Sequence, residues 1–336
     1  MSEVRTAWAA LASEGRTEPG WHARRVHAGA SCEIRAAIGA PEGTLALLFE
    51  VHARSIPAAA VWPSCVGFEL TPEAVTPGPN GRIRLRLSLR DARFRTVFET
   101  LASDVANAIR AEPSESSGVT ALLVRLRTWE RFVQRFGSGH LNDDEQLGLF
   151  AELQCLASYL LPRMDTAAAV KGWRGPYGEP QDFRFRAVAI EVKATASRNP
   201  LSFRVSNLDQ LNRGDLEVLL VHHIVVDSGA PSGRTLPEAV ADLRTALATA
   251  DPAAASDLDT SLIESGYLDQ HEQAYADKRY ALRSATWFVV DGAFPRLTRG
   301  TISPGISEAK YSVMLQSCAS NIIDETTALD MLQERV

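Results

Sequence analysis

Asp182-Phe183-Arg184-Phe185-Arg186-Ala187-Val188-Ala189-Ile190-Glu191-Val192-Lys193 is the stretch on which the fold turns. It reads as two adjacent β-strands with a turn near Arg186–Ala187. Glu191 and Lys193 stand two apart on a strand and share a face, while Ile190 and Val192 point the other way into a core. Apolar strands seldom carry mid-strand charges unless these are paired, solvated or used. Here two opposite charges stand side by side, and Asp182 enters from the strand before. That is the outline of a cage for a hard divalent cation with an ammonium group beside it. Mg²⁺ takes oxygen ligands and needs only one or two protein carboxylates besides water and phosphate. Asp182, Glu191 and the backbone carbonyl of Val192 meet that demand, and Lys193 is placed to orient a water or stabilise charge on a phosphate. The plainer reading is a surface Glu191–Lys193 ion pair of little energetic weight.

The flanks support the first reading. Asn142-Asp143-Asp144-Glu145 has the form of an N-cap with a Glu at the third helical position. The helix after it carries Leu149, Leu153, Leu156 and Leu160 as a core stripe, with Glu152 on its edge. Glu152 is either a salt-bridged or snorkelling residue or a carboxylate reaching towards the cage. Downstream, LSFRV (201–205) reads as a short strand and SNLDQLN (206–212), which carries Gln210, as a turn or two of helix. LEVLLVHHIVVD (216–227) is a nearly unbroken apolar strand, as expected at a central position covered on both faces. Its His222 and His223 face opposite sides and cannot form one metal pair, so they read as core histidines.

Further out, residues 1–96 read as mostly β, with strands at 43–54, 64–70 and 81–90 and turns at APEGT and TPGPNG. In GRIRLRLSLR the leucines line one face and Arg82, Arg84, Arg86 and Arg90 the other, either a solvated sheet face or a surface that contacts phosphate. Helices are expected at 97–111 and 119–136, the second flanked by Arg125, Arg127, Arg131 and Arg135, with EPSESSG (112–118) as a linker. A short helix is expected at Thr166–Lys171, then a Gly/Pro-rich loop, GWRGPYGEP, holding Arg174. Helices at 236–250 and 251–266 precede strands at 279–291 and 308–319. The domains are expected at 1–115 (β-rich), 116–230 (core) and 231–336 (C-terminal α/β extension).

The chain has 336 residues, a formal net charge of −6 and four cysteines with no CxxC pair. This argues against a zinc ribbon or disulfide framework and fits a reducing cytoplasm. No signal peptide and no apolar run of membrane-spanning length is read. The acidic balance argues against strong stand-alone nucleic-acid binding, and without a P-loop the chain is not expected to use ATP itself.

GLFAELQCL (148–156), GWRGP (172–176), QDF (181–183), IEVKAT (190–195), SNLDQL (206–211) and AFPRLT (293–298) together resemble the PD-(D/E)XK nuclease superfamily. More closely, they resemble a group of PD-(D/E)XK motif proteins encoded in bacterial restriction and phage-defence gene clusters beside helicase-like ATPases and DNA methyltransferases. The resemblance implies an α/β (α+β) fold: a restriction-endonuclease-like core with a mixed central sheet flanked by helices, plus a β-rich N-terminal region. It implies a Mg²⁺-dependent DNA endonuclease, with Mn²⁺ able to substitute. Asp182, Glu191 and Lys193 match the motif, Glu152 the helix glutamate and Gln210 the downstream polar residue. One departure is Gln181 in place of the Pro before the Asp, with Pro180 one position earlier. DNA contacts are expected at Arg84, Arg86, Arg127, Arg131, Lys171 and Arg174. The expected partners are DNA, a helicase or ATPase, a methyltransferase and, for two-strand cleavage, a second copy; no membrane is involved. The rival from another class is a catalytically inactive nuclease-fold scaffold or DNA-binding module of a defence complex.

Overall fold

The computed structural model describes residues 2–74 and 81–333. The turn expected at TPGPNG lies outside them, apart from Gly81. The chain divides into two compact units between Gly139 and His140.

The first unit opens with a helix that the strand patterning did not suggest, α1 (Glu3–Ser13). Ser2 caps it by accepting from the Arg5 amide at 3.2 Å, and its apolar side includes Trp8, whose indole N–H donates to Ala37 O at 3.0 Å and Ala46 O at 3.2 Å. Those carbonyls belong to an antiparallel sheet of β1 (Gly20–Val26), β2 (Glu33–Ala40), β3 (Thr44–His52), β4 (Phe68–Ala74) and β5 (Arg82–Leu89), in the order β1-β2-β3-β5-β4. Two helices follow, α2 (Arg95–Arg110) and α3 (Glu115–Phe136).

Two expectations for this unit need correction. EPSESSG is not a linker: Ser114 and Ser117 form a capping box, so the segment starts α3. Helices α2 and α3 are tied by Arg125 to Asp104 (2.5 and 2.7 Å) and by the Trp129 indole N–H to the same carboxylate (2.8 Å), so the boundary falls after α3 and not at 115. The arginine face of β5 is internally compensated. The sheet register sets Arg84 beside Glu50 (2.8 Å), while Arg86 meets Glu73 (2.6 Å) and Arg82 meets Glu115 (3.2 Å). Cross-strand pairs of opposite charge stabilise a sheet, and α3 supplies the acid for Arg82.

The second unit begins at α4 (Asp143–Cys155), whose Asn142/Glu145 capping box is as the sequence suggests. A wider turn continues it over Leu156–Leu160, closed by Leu161 N donating to Leu156 O at 2.9 Å. Next come α5 (Thr166–Gly172), β6 (Phe183–Phe185), β7 (Val188–Thr195), β8 (Ser202–Val205), β9 (Val218–Ser228), β10 (Arg234–Thr235), α6 (Leu236–Ala250), α7 (Pro252–Glu264), α8 (Glu272–Tyr275), β11 (Arg279–Val289), β12 (Tyr311–Met314), β13 (Ile322–Ile323) and α9 (Glu325–Gln333). The main sheet runs β10-β11-β9-β7-β6, with β13 on β11. It is mixed: β7 and β9 are parallel and their other partners antiparallel. β9 is central and buried along nearly its whole length, as a continuous apolar run predicts. Because β10 and β11 complete the sheet that β6, β7 and β9 begin, the division expected at 230 runs through one unit.

β8 and β12 form a separate two-stranded sheet. Phe203, Val205 and Val313 from it pack with Leu211, Leu216, Ala189, Leu219 and Val221. The β7-to-β9 crossover therefore lies over the face of the main sheet that includes Glu191 and Lys193. Residues 207–211 are hydrogen-bonded turn, not helix, and the strand expected at 308–319 stops at Met314, followed by helical turns over Leu315–Asn321. Among the described residues no helix is long and apolar enough to cross a membrane.

Gly172 closes α5 against β6 so tightly that a Cβ there would lie 2.0 Å from the Phe185 ring, which is itself buried. Gly172→Ala is expected to lower stability by about 1–3 kcal/mol, the usual range for an overpacked core, read as a lower urea midpoint at unchanged slope.

Candidate active site

β6 is short, and its brevity makes the site. Its ladder with β7 pairs only Phe183–Phe185 with Val188–Ile190. One step on, the partner of the Val192 amide is the Asp182 side chain, whose Oδ2 accepts at 2.7 Å. The N–H and C=O of a strand residue face the same edge, so the Val192 carbonyl also faces the edge that β6 leaves open. Asp182 is fixed from its own backbone as well: its carbonyl accepts from Arg174 N (2.7 Å) and Gly175 N (3.0 Å).

Glu191 stands beside it on β7, 1% exposed. Its Oε1 lies 2.6 Å from Lys193 Nζ. Its Oε2 is buried and has no hydrogen-bond partner. The surface ion-pair reading is thereby overturned: the pair is buried under the crossover, where an incompletely compensated charge is costly. Lys193 Nζ also donates to Gln210 Oε1 at 3.1 Å, and the same oxygen accepts from Ser206 N at 2.8 Å. Two of the three ammonium protons thus have acceptors, which leaves a third to donate.

Both acids are pushed up. Burial raises Asp182 to about 6 against the pull of Lys193 and the Val192 amide. Burial and the neighbouring Asp182 raise Glu191 to about 8, with Lys193 pulling it back.

Glu152, on α4, is held by the Trp173 indole N–H at 2.6 Å. Its Oε2 and Asp182 Oδ1 approach the same point: a Cβ on Gly175 would lie 2.8 Å from the aspartate oxygen and 3.3 Å from the glutamate oxygen. Gly175 is the residue that lets these carboxylates converge. Buried Cys155 feels both charges in addition to burial, and its thiol is driven well up.

The structure therefore brings two bonded groups side by side, Asp182 with Val192 and Glu191 with Lys193 and Gln210, and sets Glu152 beside Asp182. Of the expected DNA-contacting residues, Lys171 is exposed at the end of α5, and Arg174 pairs with Glu179 (Nε to Oε1, 2.7 Å) and stacks on Tyr177. Arg84, Arg86, Arg127 and Arg131 belong to the first unit; Arg127 and Arg131 are exposed on α3, Arg131 donating to Thr128 Oγ1 at 3.3 Å.

Gln181 shows in the sequence only as the residue replacing a proline. Its side chain, 2% exposed, donates to Asp209 O (2.8 Å) and Gln210 O (3.2 Å). It ties the strand carrying Asp182 to the turn carrying Gln210. Trp173 and Gly175 were likewise legible only as a packing anchor and a loop glycine. His222 and His223 are buried; His222 stacks on Trp287 at 3.8 Å and has no hydrogen bond. Burial drives their pKa values to about 3 and about 4.

Among the described residues no three His, Cys, Asp or Glu side chains are grouped so as to hold a metal by themselves. A hard cation does not need three: two carboxylates with a carbonyl, water and phosphate suit Mg²⁺. The orphaned Glu191 Oε2 beside Asp182 brings together oxygen donors whose ionisation the surroundings oppose and a cation would favour, and in that sense the residues fit a divalent cation.

Residues 4–316 match the family described as "Putative PD-(D/E)XK family member, (DUF4420)". The chain belongs to this family, and its mixed α/β architecture is nuclease-like. No curated protein and no solved structure matches it.

An acid whose folded pKa lies above its unfolded value binds more protons in the native state, so it subtracts stability as pH rises. For Glu191 that loss develops between 4.5 and about 8, and for Asp182 between 3.8 and about 6. In chelator, the melting midpoint of Glu191→Gln is therefore expected to gain on the wild type as pH rises from 5 to 8. A constant difference across that range would mean that Glu191 is not held up by its surroundings.

Proposed function

We propose that this chain is a divalent-metal-dependent endodeoxyribonuclease, the hydrolytic component of a bacterial restriction or anti-phage system that works with an ATPase or helicase. Membership of the PD-(D/E)XK family supports the nuclease part. The observation that carries the reading is the buried Glu191, with one oxygen on Lys193 and the other unpartnered beside Asp182. A fold kept only as a scaffold gains little from such a group, since apolar residues of the same size are often at least as stable there.

In this reading Asp182, Glu191 and the Val192 carbonyl hold Mg²⁺ or Mn²⁺. The ion supplies a lowered water pKa and neutralisation of phosphate charge. Lys193, oriented by Glu191 and Gln210, donates its remaining N–H to a phosphate oxygen and stabilises the charge that grows there as the P–O bond breaks. Glu152, steered by Trp173, orients water next to Asp182. Gln181 acts indirectly, by fixing the turn from which Gln210 reaches Lys193. One such site per chain breaks one strand, so double-strand cleavage calls for two chains brought together on DNA.

Lys193→Ala is expected to reduce plasmid nicking in Mg²⁺ or Mn²⁺ by about 10²–10³-fold, the usual cost of losing a charge-stabilising donor. Gly175→Ala, which crowds Asp182 and Glu152, should also lose nicking while keeping its fold by circular dichroism. If wild type and Lys193→Ala are equally inert even with the ATPase partner present, the scaffold is the better description.

A further inference from the structure

The Lys193 side of the site has a second wall, the long segment between β11 and β12. Two ties fix it. The Leu297 amide donates to Tyr311 Oη on β12 at 3.1 Å. Arg299 grips Asp209 through Nε and Nη2 at 3.1 and 3.0 Å, and Asp209 adjoins Gln210, the partner of Lys193. Arg296 sits just before the first tie.

Most arginines of this unit are paired with acids, and Arg296 is among those that are not. Arg174, Arg184, Arg234, Arg279 and Arg299 each have a carboxylate within 4.0 Å. Arg296 is half-buried, its Nη1 is buried without a hydrogen-bond partner, and none of the ion pairs among the described residues includes it. Asp291 feels its charge, but that carboxylate already accepts from Ala293 N and Asn321 Nδ2, both at 2.9 Å. Burial raises the Tyr311 hydroxyl, while the Leu297 backbone and then the charges of Lys193 and Arg296 draw it down. Two cations thus bear on one tyrosine at the rim of the site, and of the two only Lys193 has a carboxylate in an ion pair, Glu191.

A guanidinium stays charged at any physiological pH, and a buried N–H without an acceptor is costly. Its planar fork matches the oxygens of a phosphate. We propose that Arg296 is a phosphate-binding residue, which holds a backbone phosphate adjacent to the one at Lys193 and makes the 290–310 segment part of the nucleic-acid surface. This rests on the nuclease reading. It assigns DNA contact to an arginine that makes no ion pair and has a buried N–H without an acceptor, in contrast to the ion-paired arginines of the first-unit sheet.

The test is fluorescence anisotropy of a labelled 20-base-pair duplex with the full chain in chelator, over roughly 50 to 200 mM salt. One phosphate contact contributes about 0.9 to the slope of log K against log salt. Arg296→Gln should flatten the slope by about that amount and weaken low-salt binding about tenfold; Arg296→Lys should restore the slope but not all the affinity. If the wild type binds and nicks DNA while Arg296→Gln keeps the wild-type slope and affinity, the arginine assignment is wrong and the nuclease reading stands. A wild type that neither binds nor nicks even with the ATPase partner present overturns both. Should Arg296→Gln not fold, Arg296→Lys decides: weaker binding at the same slope supports the fork, and unchanged affinity overturns it.

Discussion

The second unit is organised around a buried ion pair, Glu191 with Lys193 at 2.6 Å. Removing two charges from water is expensive, and the mutual attraction offsets this only where geometry and further hydrogen bonds are good. Here the compensation is one-sided. Lys193 has two acceptors, while Glu191 is left with a bare oxygen beside another carboxylate. The neighbouring features keep that imbalance in place: a sheet edge left open by a short strand, a crossover that excludes water, a turn held by Gln181, and a glycine at which Glu152 and Asp182 meet. The imbalance is of the sign that the divalent cation proposed above would correct.

The first unit handles charge differently. Arginines alternate with leucines along β5, and neighbouring strands and α3 supply carboxylates to meet them. Such pairs at half-exposed positions contribute modestly each, and they lower the cationic potential that a run of arginines suggests on paper. The contrast with Arg296 is one of topology. A strand arginine meets acids through its register, whereas an arginine in a long connection has only what the connection brings near it.

This explains what could be read from the sequence and what could not. The Asp182, Glu191 and Lys193 cluster was legible because strand alternation fixes which side chains share a face, and the buried course of β9 because an unbroken apolar run has few other homes. The cap at Asn142 follows local rules. EPSESSG misled because Ser and Glu before a helix look the same whether they start it or separate it from something else. The acids that meet the cation face of β5 were not legible because they lie 13 to 34 residues away. Helix α1, rich in alanine, carries a weak pattern; Val4, Trp8 and Leu11 seat it, and the Trp8 indole reaches two carbonyls. Gln181 and Gly175 have no signal of their own, since what each contributes is the relative position of two other residues.

The bond between Asp182 and the Val192 amide has a consequence for how the site can be silenced. The amide needs an acceptor oxygen and is indifferent to charge, so asparagine can make the same bond. Architecture and chemistry are then read from different properties of one side chain, its shape and its ionisation. On the nuclease reading, a lineage can disarm the proposed centre through a single isosteric exchange, Asp182→Asn, and keep the Val192 amide satisfied and the crossover seated.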